Sequence, residues 1–159
     1  LDLQWHFIRH LQSNKINQLM KVKNLVAIHS VDSQHILDKL LKKDSNSKIG
    51  LFLQINTSGE AEKGGFDTDT DFSEAILAIQ NSRCFHLQGL MTIGKIRTDN
   101  FESDAKACFK KLKDLKTQLD SEYKCDLELS MGMSQDYEIA QEYGSNWVRV
   151  GSKLFGARI

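Results

Sequence analysis

Leu127-Glu-Leu-Ser-Met-Gly-Met-Ser134 and, one helix later, Val148-Arg-Val-Gly-Ser-Lys-Leu-Phe-Gly156 decide how this 159-residue chain reads. Each is a short apolar strand that runs straight into small residues, Gly132 and Ser134 in the first, Gly151 and Ser152 in the second. Hydroxyls and uncovered backbone N–H groups at such strand ends suit a phosphate dianion, above all where a helix follows. Arg149, two residues before Gly151, adds a fixed positive charge. Two such ends in succession imply a phosphorylated ligand at the rim of a parallel sheet.

Working outward, apolar strands alternate with amphipathic helices along the chain. The expected strands are Trp5–Ile8, Leu25–Val31, Ile49–Asn56, His86–Ile93, Leu127–Met131 and Trp147–Val150. The clearest helix lies within residues 99–122, where Phe101, Ala105, Cys108, Phe109, Leu112, Leu115 and Leu119 form one stripe. A second starts at Ser33, a good N-cap, and buries Ile36, Leu37, Leu40 and Leu41. Asn14–Met20, Asp69–Ile79 and Gln135–Tyr143 are the remaining helices. Six strands joined by five helices give an α/β fold with a parallel sheet and right-handed crossovers. A complete eight-stranded β/α barrel usually needs at least about 200 residues. Residues 1–159 therefore read as a single partial β/α barrel domain, its C-terminal three-quarters, or as a self-sufficient open sheet. Either way the strand C-termini carry function.

Formal net charge is zero, which gives no basis for a nucleic acid partner or an anionic membrane surface. No apolar run approaches the length of a membrane span. Cys84, Cys108 and Cys125 are odd in number and far apart, so they read as reduced intracellular thiols in a cytoplasmic protein, with a mitochondrial pool as the other setting. The five histidines are scattered along the chain and are not read as a metal site. The chain has no proline and opens at Leu1 without a methionine, which reads as part of a longer protein.

Each candidate residue also has a plainer role. Ser134 would serve as N-cap of the helix that follows, a role compatible with anion binding. Arg149, between Val148 and Val150, would face the barrel interior or the outer helices, where a structural ion pair is the alternative. Lys15, Lys63, Lys95 and Lys153 follow strands, yet loop lysines are nearly always solvated and poor candidates for covalent chemistry. His6, within Trp5-His-Phe-Ile8, reads as a hydrogen-bonded core or rim histidine. Asn56-Thr-Ser-Gly-Glu60 reads first as a turn and second as a ligand contact.

Five stretches in register resemble the pyridoxal-phosphate homeostasis protein family, whose fold is the alanine racemase N-terminal type of TIM-like β/α barrel. They are Trp5-His-Phe-Ile8 with Leu11-Gln-x-Asn-Lys15, Gln54-Ile-Asn-Thr-Ser-Gly59, Gly89-Leu-Met-Thr-Ile-Gly94, Leu129-Ser-Met-Gly-Met-Ser134, and Val148-Arg-Val-Gly-Ser152 with Phe155-Gly-Ala-Arg158. The wording is nearest to eukaryotic-type members. The resemblance implies a pyridoxal 5′-phosphate-binding carrier or regulator of vitamin B6 and amino-acid homeostasis, not a catalyst. It implies that Ser134, Gly151 and Ser152 hold the phosphate, with Met133 beside them, and that Arg149 lies near the pyridine nitrogen. The family's Schiff-base lysine sits on the first barrel strand and would fall before Leu1, as would the Gly-Glu-Asn type motif of the second strand. The family has glycine where this chain has Arg9, which puts bulk and charge at the barrel mouth. The competing classes are a racemase or decarboxylase on the same barrel, and a non-covalent phosphate-binding or interaction fragment. A companion segment, a second chain or self-association would complete the barrel.

Overall fold

The computed structural model describes residues 3–45, 47–60, 62–95 and 98–156; Leu1 and Arg158, both used in the sequence reading, lie outside them. Six strands follow one another: β1 (Trp5–Phe7), β2 (Leu25–Val31), β3 (Ile49–Gln54), β4 (Phe85–Met91), β5 (Glu128–Met133) and β6 (Trp147–Arg149). They pair in sequence order and every pairing is parallel. The connections are helical: α1 (Ile16–Leu19, after a 3-10 turn at Ser13–Lys15), α2 (Gln34–Leu41), α3 (Ser73–Gln80), α4 (Phe101–Tyr123) and α5 (Tyr137–Glu142). A last short helix, α6 (Ser152–Phe155), follows β6.

Local chemistry explains the boundaries. Ser33 caps α2, its Oγ accepting the Ile36 N–H at 3.4 Å, and Ile36, Leu37 and Leu40 are buried while Leu41 is half-buried. α4 buries Ala105, Cys108, Phe109, Leu112, Leu115 and Leu119 on one face, as the spacing requires, and ends at Lys124 in the left-handed region. The helix expected from Asp69 starts only at Ser73, because Asp71 Oδ1 draws the Ser73 N–H into a turn at 2.9 Å.

The sheet curls. In a flat sheet β2 and β5 would lie roughly 14 Å apart, three strand spacings, yet His29 Nδ1 and Ser130 Oγ are 2.8 Å apart. β1 and β6 would be separated further still, but the His6 and Trp147 rings approach to 4.6 Å between centroids. Side chains meeting across the concave face in this way define a partial barrel, which excludes the open-sheet alternative.

Two cores follow from the two faces. The convex face and helices bury the larger one, including Ile28, Leu51, Leu53, Phe85, Leu90, Phe109 and Leu129. The concave face holds a smaller cluster of Ala27, Phe52 and Met91, with Ile93 and Trp147 against it. β4 carries one extra residue against β3, since Leu51 pairs with Leu87 but Phe52 pairs with Gly89. A Cβ on Gly89 would stand 2.1 Å from the Glu128 carbonyl oxygen, so only glycine lets β4 and β5 approach there.

Candidate functional site

The ends of β5 and β6 meet where the sequence placed them. Ser134 Oγ accepts the backbone N–H of Gly151 at 3.1 Å and that of Lys153 at 3.4 Å. Two main-chain donors aimed at one oxygen is the arrangement an anion oxygen takes in a strand-end cradle. Ser152 lies between those two donors and is exposed at the start of α6. A Cβ on Gly151 would meet nothing within 4 Å, so the space in front of this turn is open. Gly151, Ser152 and Ser134 thus form one surface with room for a phosphate group.

Ser134 is not the cap of α5. That helix begins at Tyr137 with Asp136 as its cap residue, and Asp136 makes no side-chain cap bond. The buried Asp136 carboxylate turns back instead and accepts the Met133 N–H at 2.6 Å, bracing the turn that ends β5. Gly132 permits this turn: its φ is +96°, and a Cβ there would stand 2.7 Å from the Cβ of Ala140 on α5. The Met133 side chain is 40% exposed at the rim. Ser134 is left free to hold the β6 end.

Arg149 points into the barrel interior, half-buried, and finds hydrogen-bond acceptors where an ion pair was the alternative. Nη1 donates to Ser130 Oγ at 2.9 Å and Nη2 to the Thr92 carbonyl at 2.8 Å. Burial lowers its pKa to about 10, opposed by the Asp136 carboxylate, so the guanidinium stays charged at neutral pH. Thr92 is itself tied down, its Oγ1 bonding to the Ile55 carbonyl at 2.8 Å and to Thr57 Oγ1 at 2.9 Å.

Behind Arg149 lies a pair of histidines, His6 and, with no motif to mark it, His29. His29 Nδ1 meets Ser130 Oγ at 2.8 Å, and its Nε2 meets His6 Nδ1 at 2.8 Å. The His29 ring stacks on Phe52 with centroids 4.0 Å apart. Burial, then the neighbouring His6 and Arg149, lower the pKa of His29 to about 3. Burial lowers that of His6 too, against the pull of Glu128. The signal for His29 was a polar pair, His29-Ser30, inside the otherwise apolar Leu25–Val31.

The loop lysines are engaged with their surroundings. Lys63 Nζ donates to the Gly94 carbonyl and pairs with Glu60, both at 2.6 Å. Lys95 lies 3.9 Å from Asp104, and Lys153 Nζ donates to Tyr137 OH at 2.6 Å. The Asn56–Glu60 stretch is a turn, with Asn56 Nδ2 donating to the Glu60 carbonyl at 3.0 Å. At the β1 edge, Arg9, His10 and Lys15 line an open cavity of about 620 Å³. No cluster of three metal-ligating side chains occurs among the described residues, and no described helix is long and apolar enough to cross a membrane.

The alanine racemase N-terminal domain family model matches residues 2–159. The pyridoxal phosphate homeostasis protein of Schizosaccharomyces pombe is 42% identical over 159 residues, covering 99% of this chain and 66% of that protein. The protein of the same name from Aquifex aeolicus is 39% identical over 163 residues, covering 99% of this chain and 68% of the relative. The chain thus spans about two thirds of these relatives' length. Among solved structures, PipY of Synechococcus elongatus with PLP bound superposes with a TM-score of 0.81 at 30% identity, covering 98% of this chain and 72% of that one.

Proposed function

This chain belongs to the alanine racemase N-terminal domain family and, within it, to the pyridoxal phosphate homeostasis proteins, and we propose that it binds pyridoxal 5′-phosphate as a carrier or regulator in vitamin B6 and amino-acid homeostasis, without turning over a substrate. The observation that carries this reading is the convergence of the Gly151 and Lys153 N–H groups on Ser134 at the rim, at the end of the same strand that carries the anchored Arg149. Those residues fit the cofactor: an anion cradle with open space, two residues from a half-buried cation. Ser134, Ser152 and the Gly151 N–H, the last turning from Ser134 Oγ to a phosphate oxygen, would hold the phosphate, and Met133 would border them.

When bound, the cofactor supplies an aldehyde and an electron-withdrawing ring. Arg149 is the residue that would hold the ring nitrogen, and a charged guanidinium with five donors and no acceptor would keep a proton off that atom. The ring is then a weaker electron sink, which suits holding the cofactor more than carbanion chemistry.

The same reading makes residues 1–159 six strands of an eight-stranded barrel. Trp5 and Ile8 are 52% and 50% exposed along the β1 edge, an apolar face suited to a companion segment or a second chain. We place the protein in the cytoplasm, in keeping with three free thiols. Titration with pyridoxal phosphate, followed by absorbance, tests the reading: saturable binding displaced by inorganic phosphate is expected, and its absence would overturn it. An amino-acid racemisation or decarboxylation assay should stay at background.

A further inference from the structure

We infer that Ser130, His29 and His6 are positioning residues for Arg149, joined to it in a one-directional chain of hydrogen bonds that locks its guanidinium and fixes both histidine tautomers. The role toward the cofactor rests on Arg149 lying beside the ring nitrogen. The chain itself rests on geometry alone.

The direction follows from counting hydrogens. Arg149 has donors only, so in its 2.9 Å contact with Ser130 the serine oxygen must accept. Ser130 is fully buried (0% exposed) and has a single hydroxyl hydrogen to place. Among the described residues, the other side-chain partner of that oxygen is His29 Nδ1 at 2.8 Å. The hydrogen therefore goes to His29 Nδ1, which must be bare. His29 is then protonated on Nε2 and donates to His6 Nδ1 at 2.8 Å. That leaves His6 protonated on Nε2 as well. Reversing the chain would make Ser130 accept twice and strand its hydrogen in a buried site.

Packing holds the members in line. His29 lies flat on Phe52, with 11° between the ring planes, and the Trp147 ring meets it edge-on at 5.9 Å. Trp147 also contacts His6, and its Nε1 donates to Glu128, so this wall is fixed in turn. A hydroxyl that donates onward becomes a better acceptor, so the histidines strengthen the grip of Ser130 on Arg149. Thr92 clamps the other terminal nitrogen from β4. The guanidinium is thus held by two acceptors on neighbouring chain segments.

The test begins on ligand-free protein with 15N-labelled histidine, where two-bond 1H–15N correlations report which ring nitrogen carries the proton. His6 and His29 should both be in the Nε2–H form. Ser130→Ala should leave His29 with mixed tautomers, whereas Ser130→Thr, which keeps the hydroxyl, should preserve the single form. Arg149→Met removes the donor that sets the direction and should also mix the tautomers, which covers the case of an unfolded Ser130→Ala. An Nδ1–H form at His29 in the parent, or unchanged tautomers in the folded variants, would overturn the chain. In the second arm, the absorbance band of bound pyridoxal phosphate should shift in Ser130→Ala and return in Ser130→Thr, with competition by inorganic phosphate unchanged. Altered tautomers with an unaltered band would refute positioning toward the ring. Failure of all variants and parent to bind the cofactor would sink the cofactor reading, while the tautomers still decide the chain.

Discussion

Arg149 Nη2 reaches past its neighbouring strand to the carbonyl of Thr92, 2.8 Å away at the end of β4. With the Ser130 contact on β5, one guanidinium thereby ties three consecutive strand ends together. Arg149→Ala should cost about 1–3 kcal/mol, because Thr92 and Ser130 lose their buried donor. Urea denaturation measures this. The substitution should alter the absorbance of bound pyridoxal phosphate more than it alters phosphate affinity.

The phosphate cradle predicts the opposite balance. Charge-assisted hydrogen bonds contribute roughly 1.5–3 kcal/mol each, so Ser134→Ala combined with Ser152→Ala should weaken pyridoxal phosphate binding by at least about tenfold. Titration by absorbance or fluorescence checks it. Unchanged affinity would show that these serines only shape the turn.

Lys15, Lys63, Lys95 and Lys153 should not form a stoichiometric covalent link to the cofactor. Lys63 and Lys95 lie near carboxylates and Lys153 donates to Tyr137. Borohydride reduction of residues 1–159 mixed with pyridoxal phosphate, followed by peptide mass mapping, should find no single modified site. One dominant adduct on Lys63 or Lys95 would move the chemistry to that loop.

His29 predicts how stability follows pH. Its pKa falls from 6.5 in the unfolded chain to about 3 in the fold, with burial the first cause. Between those values the unfolded state binds more protons, so acidification favours unfolding and stability rises with pH across the window. The slope from this group reaches about 1.4 kcal/mol per pH unit, and His6 and His86, also lowered by burial, add in the same direction. Melting temperature should drop from pH 7 to pH 5, and less steeply in His29→Gln. Parallel profiles would show that His29 titrates normally.

The exposed β1 edge predicts association. Isolated residues 1–159 should self-associate with rising concentration, because Trp5 and Ile8 lie beside a strand edge that no other described strand pairs with. Trp5→Lys with Ile8→Lys should shift sedimentation toward monomer. A monodisperse, cooperatively melting parent would contradict the need for completing strands.

Much of this was legible in the sequence, for stated physical reasons. Leu25–Val31 is a strand over its whole expected length because β-branched and apolar residues are packed on both faces. The stripe from Phe101 to Leu119 is continuous enough to fix α4 within a residue or two. The Ser134, Gly151 and Ser152 surface was visible because small residues follow apolar runs. Two things were hidden. Ser134 looked like a helix cap, and only tertiary structure shows Asp136 bracing the turn in its place. The neighbourhood of His29 depends on the curl of the sheet, which brings β2 to β5 and has no signature in local periodicity.

The extra residue in β4 sets which face everything after it belongs to. Up to Leu87 the β3–β4 register is regular, and beyond it Phe52 faces Gly89, so Leu90 joins the outer core and Met91 the inner one. Alternation along a strand is strict, so losing one residue at Gln88–Gly89 would exchange those faces. Leu90 would enter the polar interior, Met91 would turn to the helices, and the Thr92 carbonyl would no longer meet Arg149. Residue number, not only residue type, is thus part of how this interior is encoded: a single deletion here acts as a phase error that no compensating side chain downstream can repair.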